Sequence, residues 1–438
     1  MATGLDTRVC IVGAGAGGLS AAYYLTQQGY QHVTVLESLD RVGGKCHSIT
    51  YDSCSFDLGA NYVTEAYTEV LRLAELAGAE MYTEDPTTTL YIPEQGEPKY
   101  TKPLDAVRGK TSLLQFGWAT FRYFWERLKL NDIADRPGFG HISQYPELCV
   151  SFDEWLVNKR LTELRTLFEV PITIMGYGYL DEVPAPYALK YMSIKTFFNL
   201  VIVGLGWPTS WPKRFVDGFQ RFWERIATGL DVRLNVGIDR IERDGIIRVF
   251  VNASEEPLEF DKLILACPMT LDVLTRFLTL SKKEEELFRL VIINPYCLTS
   301  HVDTGLELPE RIVGMLPLPE LGKPFAITQQ FQDNSLVQFY SRMDQEHTIT
   351  KERVLEGIRE YIQRLGGRAG DYHTYNEWPY FPHITAEDMK RGFYSQLEDL
   401  QGQQNTFYCG GFLAFELVEP IVNYSKYLID VHFVNRNI

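Results

Sequence analysis

Cysteine is scarce and poorly placed for cross-linking. The seven cysteines in 438 residues (Cys10, Cys46, Cys54, Cys149, Cys267, Cys297 and Cys409) are odd in number and form no CxxC pair. That speaks against a disulfide framework or a zinc ribbon and fits a reducing cytoplasm. The eight histidines make no HExxH or related spacing, so no metal site is expected. Long apolar runs are also lacking. The strongest, Phe197 to Trp207, contains Asn199 and two glycines and stops at Pro208, too short to span a bilayer. Met1 to Arg8 carries no apolar core of the kind a secretory leader has, so a cytoplasmic location is expected. Basic charge is in deficit, 42 Lys and Arg against 57 Asp and Glu, a net charge of −15. This argues against a nucleic-acid partner and against an electrostatic hold on anionic membranes. No internal repeat or low-complexity linker is visible. What remains is an ordinary globular composition, 45% hydrophobic and 23% charged, in a chain long enough for about two or three domains.

The most informative stretch runs from Val9 to Lys45. Val9-Cys10-Ile11-Val12 reads as a buried strand, followed at once by Gly13-Ala14-Gly15-Ala16-Gly17-Gly18 and a helical pattern through Leu25. In the spacing Gly13-x-Gly15-x-x-Gly18 the first glycine permits a tight turn. The second lets backbone approach a pyrophosphate, and the third lets helix and strand pack closely. The helix N-terminus adds free N–H groups and a positive dipole end. A second strand, His32 to Leu36, ends at Glu37, whose carboxylate is placed to accept from two ribose hydroxyls. An acid here disfavours a cofactor with a 2′-phosphate. Together these features predict a dinucleotide site.

Further along, Asp57-Leu58-Gly59-Ala60-Asn61-Tyr62 sets a small pair beside an aromatic, suited to backbone passing close to a flat ring or to an ordinary turn. Leu113 to Leu130 is a long helical pattern with Phe116, Trp118, Phe121, Phe124 and Trp125, read as core packing in preference to a membrane contact. Gly176-Tyr177-Gly178-Tyr179 is either a pocket wall or a tight turn between helices. Short strands follow Phe215–Ala227, and Thr406 to Cys409 is a strand ending in Gly410-Gly411, after which Phe415 to Tyr427 reads as the last helix or a loop feeding it.

The stretch from Glu37 through Arg41-Val42-Gly43-Gly44-Lys45 resembles the extended signature of the flavin-containing amine oxidase superfamily. The resemblance implies non-covalently bound FAD and an α/β fold, in which a Rossmann-type FAD-binding domain carries an interleaved α+β substrate domain and a helical insertion. The FAD-binding domain is expected at 1–66, 214–295 and 396–438, the helical cap at 67–213 and the substrate domain at 296–395. Expected cofactor contacts are Gly13, Gly15, Ala16, Gly18, Glu37, Ser38, Gly44, Lys45, Gly59, Ala60, Asn61, Val236, Gly410 and Val418. In the superfamily the last helix points its N-terminus at the flavin, favouring its anionic reduced form by about 1 kcal/mol or more.

Other stretches resemble one branch, the bacterial polyunsaturated fatty acid isomerases. They are Arg41 to Ser48, Gly176 to Tyr191, Tyr380-Phe381-Pro382-His383, Gln401 to Tyr408 and Tyr424-Ser425-Lys426, so the resemblance covers nearly the whole chain. It implies a small-molecule substrate, an unsaturated fatty acid or related polyene, whose double bond moves by hydride transfer to and from flavin N5. Substrate contacts are expected at Tyr62, Tyr177, Tyr179, Tyr380 and Phe381, with Tyr62 and Tyr179 as candidates for steadying a cationic reaction centre through their ring faces. Two positions depart from the pattern. Where the branch has an arginine for the fatty-acid carboxylate, this chain reads Glu84-Asp85-Pro86-Thr87-Thr88-Thr89. Where the superfamily has a glycine followed by an acid, it reads Gly410-Gly411. The acidic segment and Glu65 suit a second reading, an amine or amide oxidase or dehydrogenase of a secondary metabolite, and a flavin carrier without turnover is a third. Oligomeric state leaves no signal in the sequence.

Overall fold

In the computed structural model the described residues are 6–433, apart from 85–87, 93–98, 110, 206, 208 and 347. A parallel five-stranded sheet runs Thr406–Tyr408, Lys262–Leu265, Arg8–Val12, His32–Leu36, Asp231–Arg233. Val9, Cys10, Ile11 and Val12 are all buried, as a strand covered on both faces requires. Gly13 makes the turn out of the central strand with φ +103, and its N–H donates to Leu36 O at 2.8 Å. A side chain there would strike the Ala266 carbonyl, 2.9 Å from the position of a Cβ. The helix Ala16–Gln27 then packs against the C-terminal helix Val418–His432, where Ser425 Oγ donates to Gly17 O at 3.1 Å.

A seven-stranded, mostly antiparallel sheet forms the second layer, in the order Tyr372–Trp378, Tyr296–His301, Val337–Arg342, Pro324–Thr328, Ile312–Met315, Thr88–Ile92, Lys99–Thr101. The last two strands correct the expected boundaries. They lie inside the stretch 67–213 assigned to a helical cap, yet Thr88–Ile92 pairs in parallel with Ile312–Met315 and belongs to the substrate sheet. The reason is pairing rather than sequence order: an exposed edge beside Ile312–Met315 needs a strand, and this is the one that reaches it. Met81–Thr83 pairs with Lys213–Phe215 and closes the base of the insertion, so the helical part runs from Pro103 to Gly204.

Within that insertion, the helix Leu113–Lys129 starts at a Ser112–Gln115 capping box. Its inner face is anchored by buried polar groups. Arg127 Nε donates to Leu189 O at 3.1 Å, and Tyr123 Oη donates to Met192 O at 2.6 Å. The aromatic stripe departs from the core-packing expectation. Phe116 is buried and Phe124 half-buried, but Trp118, Phe121 and Trp125 are each more than half exposed. The opposite face of the helix, with Ala119, Tyr123 and Arg127, already fills the contact with the rest of the insertion.

Candidate active site

A cavity of about 690 Å³ opens at the carboxyl ends of the parallel strands and continues beneath the second sheet. At its nucleotide end the glycine loop brings Gly13, Gly15 and Ala16 to the wall, and the turn Gly43-Gly44-Lys45 lies alongside. The two glycine segments touch: Gly15 bridges Gly43 in parallel, and Gly43 N–H donates to Ala14 O at 2.8 Å. Gly18 is not on the wall. A side chain on it would collide with the Gly13 carbonyl, so its place is the close packing of helix on strand. Glu37 lines the cavity with its carboxylate held from behind. Ala14 N–H donates to Oε2 at 2.7 Å and Leu39 N–H to Oε1 at 2.9 Å. Ser38 and Val236 share this wall with Cys267 and Met269.

Toward the middle, Gly59, Ala60 and Asn61 pass along one side and Gly410 and Val418 along the other. Gly410 has φ +122, and no atom lies within 4 Å of where a Cβ would stand. The C-terminal helix begins at Val418 without a side-chain cap, as does the helix Ala16–Gln27. Two uncapped helix N-termini at one cavity, a glycine floor and an acid at the end of the second strand fit a dinucleotide with a flat ring.

The missing acid after Gly410 has a structural answer. Glu416 lines the cavity and pairs with Lys45 Nζ. A Cβ at Gly411 would lie 2.5 Å from Glu416 Oε2, so the bare glycine leaves room for this carboxylate. Sequence reasoning missed Glu416; its only signal was the acid absent from position 411.

The far end of the cavity is aromatic. Tyr62, Tyr177 and Tyr380 line it together with Tyr191, Tyr296, Tyr340 and Trp378. Tyr177 stacks on Phe415 at 5.0 Å, lies 5.1 Å from Tyr380 and donates its hydroxyl to Glu416 O at 3.1 Å. Burial pushes the phenols of Tyr177, Tyr296 and Tyr380 well above their ordinary value, and that of Tyr340 up to about 12, so all stay protonated near neutral pH. Tyr191, Tyr296 and Tyr340 were missed. The last two sit on antiparallel strands, and which face is inward depends on the register.

Two expected substrate contacts lie elsewhere. Gly178, at φ +118, turns the chain so that Tyr179 leaves the wall; it is half-buried, with Arg342 5.8 Å from its ring centre. Phe381 is fully buried behind the wall, stacked on His383 at 4.4 Å and edge-on to Tyr177 at 5.1 Å. Its φ of +47 rotates the ring out of the cavity and Tyr380 into it.

Of the acidic segment, the described acid Glu84 does not present free charge. Asp85, Pro86 and Thr87 fall outside the described residues. Glu84 is buried and held by Arg214 Nε at 2.9 Å and by Arg311 Nη1 at 2.9 Å. Glu65 does not line the cavity. The Arg214 guanidinium lies 4.3 Å from the centre of the Tyr62 ring and 3.9 Å from Asp57. Burial pushes Asp57 up to about 6, against the pull of Arg214, the Ser48 hydroxyl and the Phe219 N–H. Among the described residues no group of three His, Cys, Asp or Glu could hold a metal ion.

Fold and cradle together are those of a flavin-binding protein, and the chain belongs to the family of flavin containing amine oxidoreductases, which it matches over residues 16–379. Its cofactor is FAD. The fold is similar to that of a fatty acid isomerase from P. acnes that produces CLA, at TM-score 0.84 and 27% identity, covering 98% of this chain and 99% of that one. Among curated relatives, protoporphyrinogen oxidase 2 of Arabidopsis thaliana is 33% identical over 144 residues, 32% of this chain and 28% of that protein. The polyenoic fatty acid isomerase of Ptilota filicina is 24% identical over 214 residues, 44% of this chain and 42% of that protein. These matches span well under two thirds of either relative's length. Among the described residues no helix is long and apolar enough to cross a membrane.

Proposed function

We propose that the protein is an FAD-dependent isomerase that moves a double bond of a polyunsaturated fatty acid into conjugation. The observation that carries this reading is the substrate end of the cavity: phenol rings and the apolar side chains of Ile174, Met175 and Ile312, with the described acids around it already paired, Glu84 with Arg214 and Arg311 and Glu416 with Lys45. Such a wall accepts a bent hydrocarbon chain and, among the described residues, offers a cationic amine only acids that are already paired. The fold-wide similarity to the isomerase from P. acnes supports the same substrate class.

When bound, FAD supplies reversible hydride exchange with a substrate carbon, so the reaction needs no external oxidant. This chain's tasks are positioning and electrostatics. Gly13, Gly15, Ala16, Glu37, Ser38, Gly44, Lys45, Gly59, Ala60, Asn61, Val236, Gly410 and Val418 hold the cofactor, with Gly18 setting the loop and Lys45–Glu416 closing its middle. Tyr62, Tyr177 and Tyr380 orient the chain, and their ring faces lower the energy of positive charge developing along it. Protonated phenols are not bases, which suits a hydride route.

The test is an anaerobic mixture of the holoprotein with linoleic acid, followed by the ultraviolet band of conjugated dienes and by flavin absorbance. Diene growth with the flavin oxidised at the end is the expected result. No diene, together with lasting bleaching by amines, would replace this reading with an oxidase.

A further inference from the structure

The exposed face of the helix Leu113–Lys129 is not covered by any other element among the described residues. Leu114, Trp118, Phe121, Trp125 and Leu128 recur at steps of four and three, so they form one line along the helix. Their exposures are 88, 59, 60, 56 and 53%. Phe198, half exposed on the adjoining helix Ile194–Gly204, widens the patch through Phe124, 6.3 Å away. Patches of this kind on a protein surface mark an interaction site.

Charge identifies the occupant. The whole chain has a surplus of acids, yet these two helices hold one acid, Glu126, against Arg122, Arg127, Lys129 and Lys195. Arg127 is buried, and Glu126 is engaged by Lys129 and Lys159. Arg122 and Lys129 flank the line, lying 5.7 Å from the Trp118 ring and 5.4 Å from the Trp125 ring. Tryptophans edged by long cations, on a helix lying flat, are the composition of an interfacial helix on an anionic bilayer. A second copy of the chain would set the same basic surface against itself.

We infer that this face docks the protein on an anionic lipid bilayer, with Trp118, Phe121 and Trp125 entering the headgroup boundary and Arg122 and Lys129 meeting lipid phosphates. The face is one layer from the cavity. Arg127 and Tyr123 on its inner side hold the carbonyls of Leu189 and Met192, and Tyr191 between them is on the cavity wall.

The holoprotein is floated with vesicles of phosphatidylcholine alone and of phosphatidylcholine with phosphatidylglycerol. Tryptophan quenching by lipids brominated on the acyl chain is measured alongside. Binding to the phosphatidylglycerol vesicles with quenching is expected. Replacing Trp118, Phe121 and Trp125 together by Ser should weaken it about a hundredfold. The pair Arg122→Ser and Lys129→Ser should reduce only the preference for phosphatidylglycerol. Retained flavin absorbance shows that each variant is folded. No flotation and no quenching of the wild-type protein would overturn the inference. So would a wild-type dimer that the triple variant turns into a monomer, since the face would then belong to a second copy.

Discussion

At the scale of single residues, the cavity depends on what each side chain leaves open. Tyr177 joins both halves of the site, through its ring to Phe415 and Tyr380 and through its hydroxyl to Glu416 O. If its ring face steadies positive charge, Tyr177→Phe keeps turnover within about twofold, whereas Tyr177→Leu lowers kcat about tenfold with diene formation as the readout. Gly411 shows the opposite logic. Gly411→Glu would force a second carboxylate against Glu416 and should weaken FAD binding about tenfold by flavin-fluorescence titration. Glu416→Gly in the same chain should restore much of it, because the two positions compete for one space. The glycine spacing and Glu37 were legible in the sequence because their function follows from local backbone. Tyr179 was misread because alternating Gly and Tyr does not tell which phenol faces inward; only the φ of Gly178 does.

At the scale of elements, the short helix Lys282–Phe288 ties the end of the parallel sheet to its neighbour. Its capping acid Glu284 accepts from Arg243 Nη1 at 2.7 Å and from the Tyr408 hydroxyl. Burial alone would raise the Glu284 carboxyl, but Arg243, Tyr408 and the Ser281 N–H outweigh it and hold the group at about 2. A depressed carboxyl contributes stability that is complete above its unfolded value, near 4.5, and fades as the pH falls toward 2. Urea unfolding should therefore lose up to about 3 kcal/mol across that window, and Glu284→Gln should flatten this part of the pH profile. The helix starts at Phe152 and Lys282 follow the sequence patterns Ser151-x-x-Glu154 and Ser281-x-x-Glu284, but the first of these helices ends at Asn158 although the helical pattern runs on to Phe168. The exposed side of Leu113–Lys129 was not legible, because a helix apolar on two faces gives the same periodicity whichever face is covered.

At the scale of the whole molecule, three buried charges and one half-buried one join distant parts of the chain. Asp57, Glu84, Arg214 and Arg311 come from four separate segments and meet behind the substrate end of the cavity. Glu84→Gln removes the shared counter-ion of both arginines and should cost about 3–5 kcal/mol in urea unfolding. Asp57, already raised to about 6, then gains weight as the remaining acid beside Arg214.

The sequence by itself determined the nucleotide half: strand, glycine loop, helix and acid are contiguous, and their geometry follows from local sterics and the right-handed strand–helix crossover. It left open whether Gly176–Tyr179 is a pocket wall or a tight turn. Only the tertiary structure decided that Thr88–Ile92 joins the second sheet, that Glu84 is neutralised, that Glu416 stands where Gly411 makes room, and that Trp118, Phe121 and Trp125 face outward. Each of these rests on pairing between residues far apart in the chain, and such pairing is set by packing rather than by local pattern.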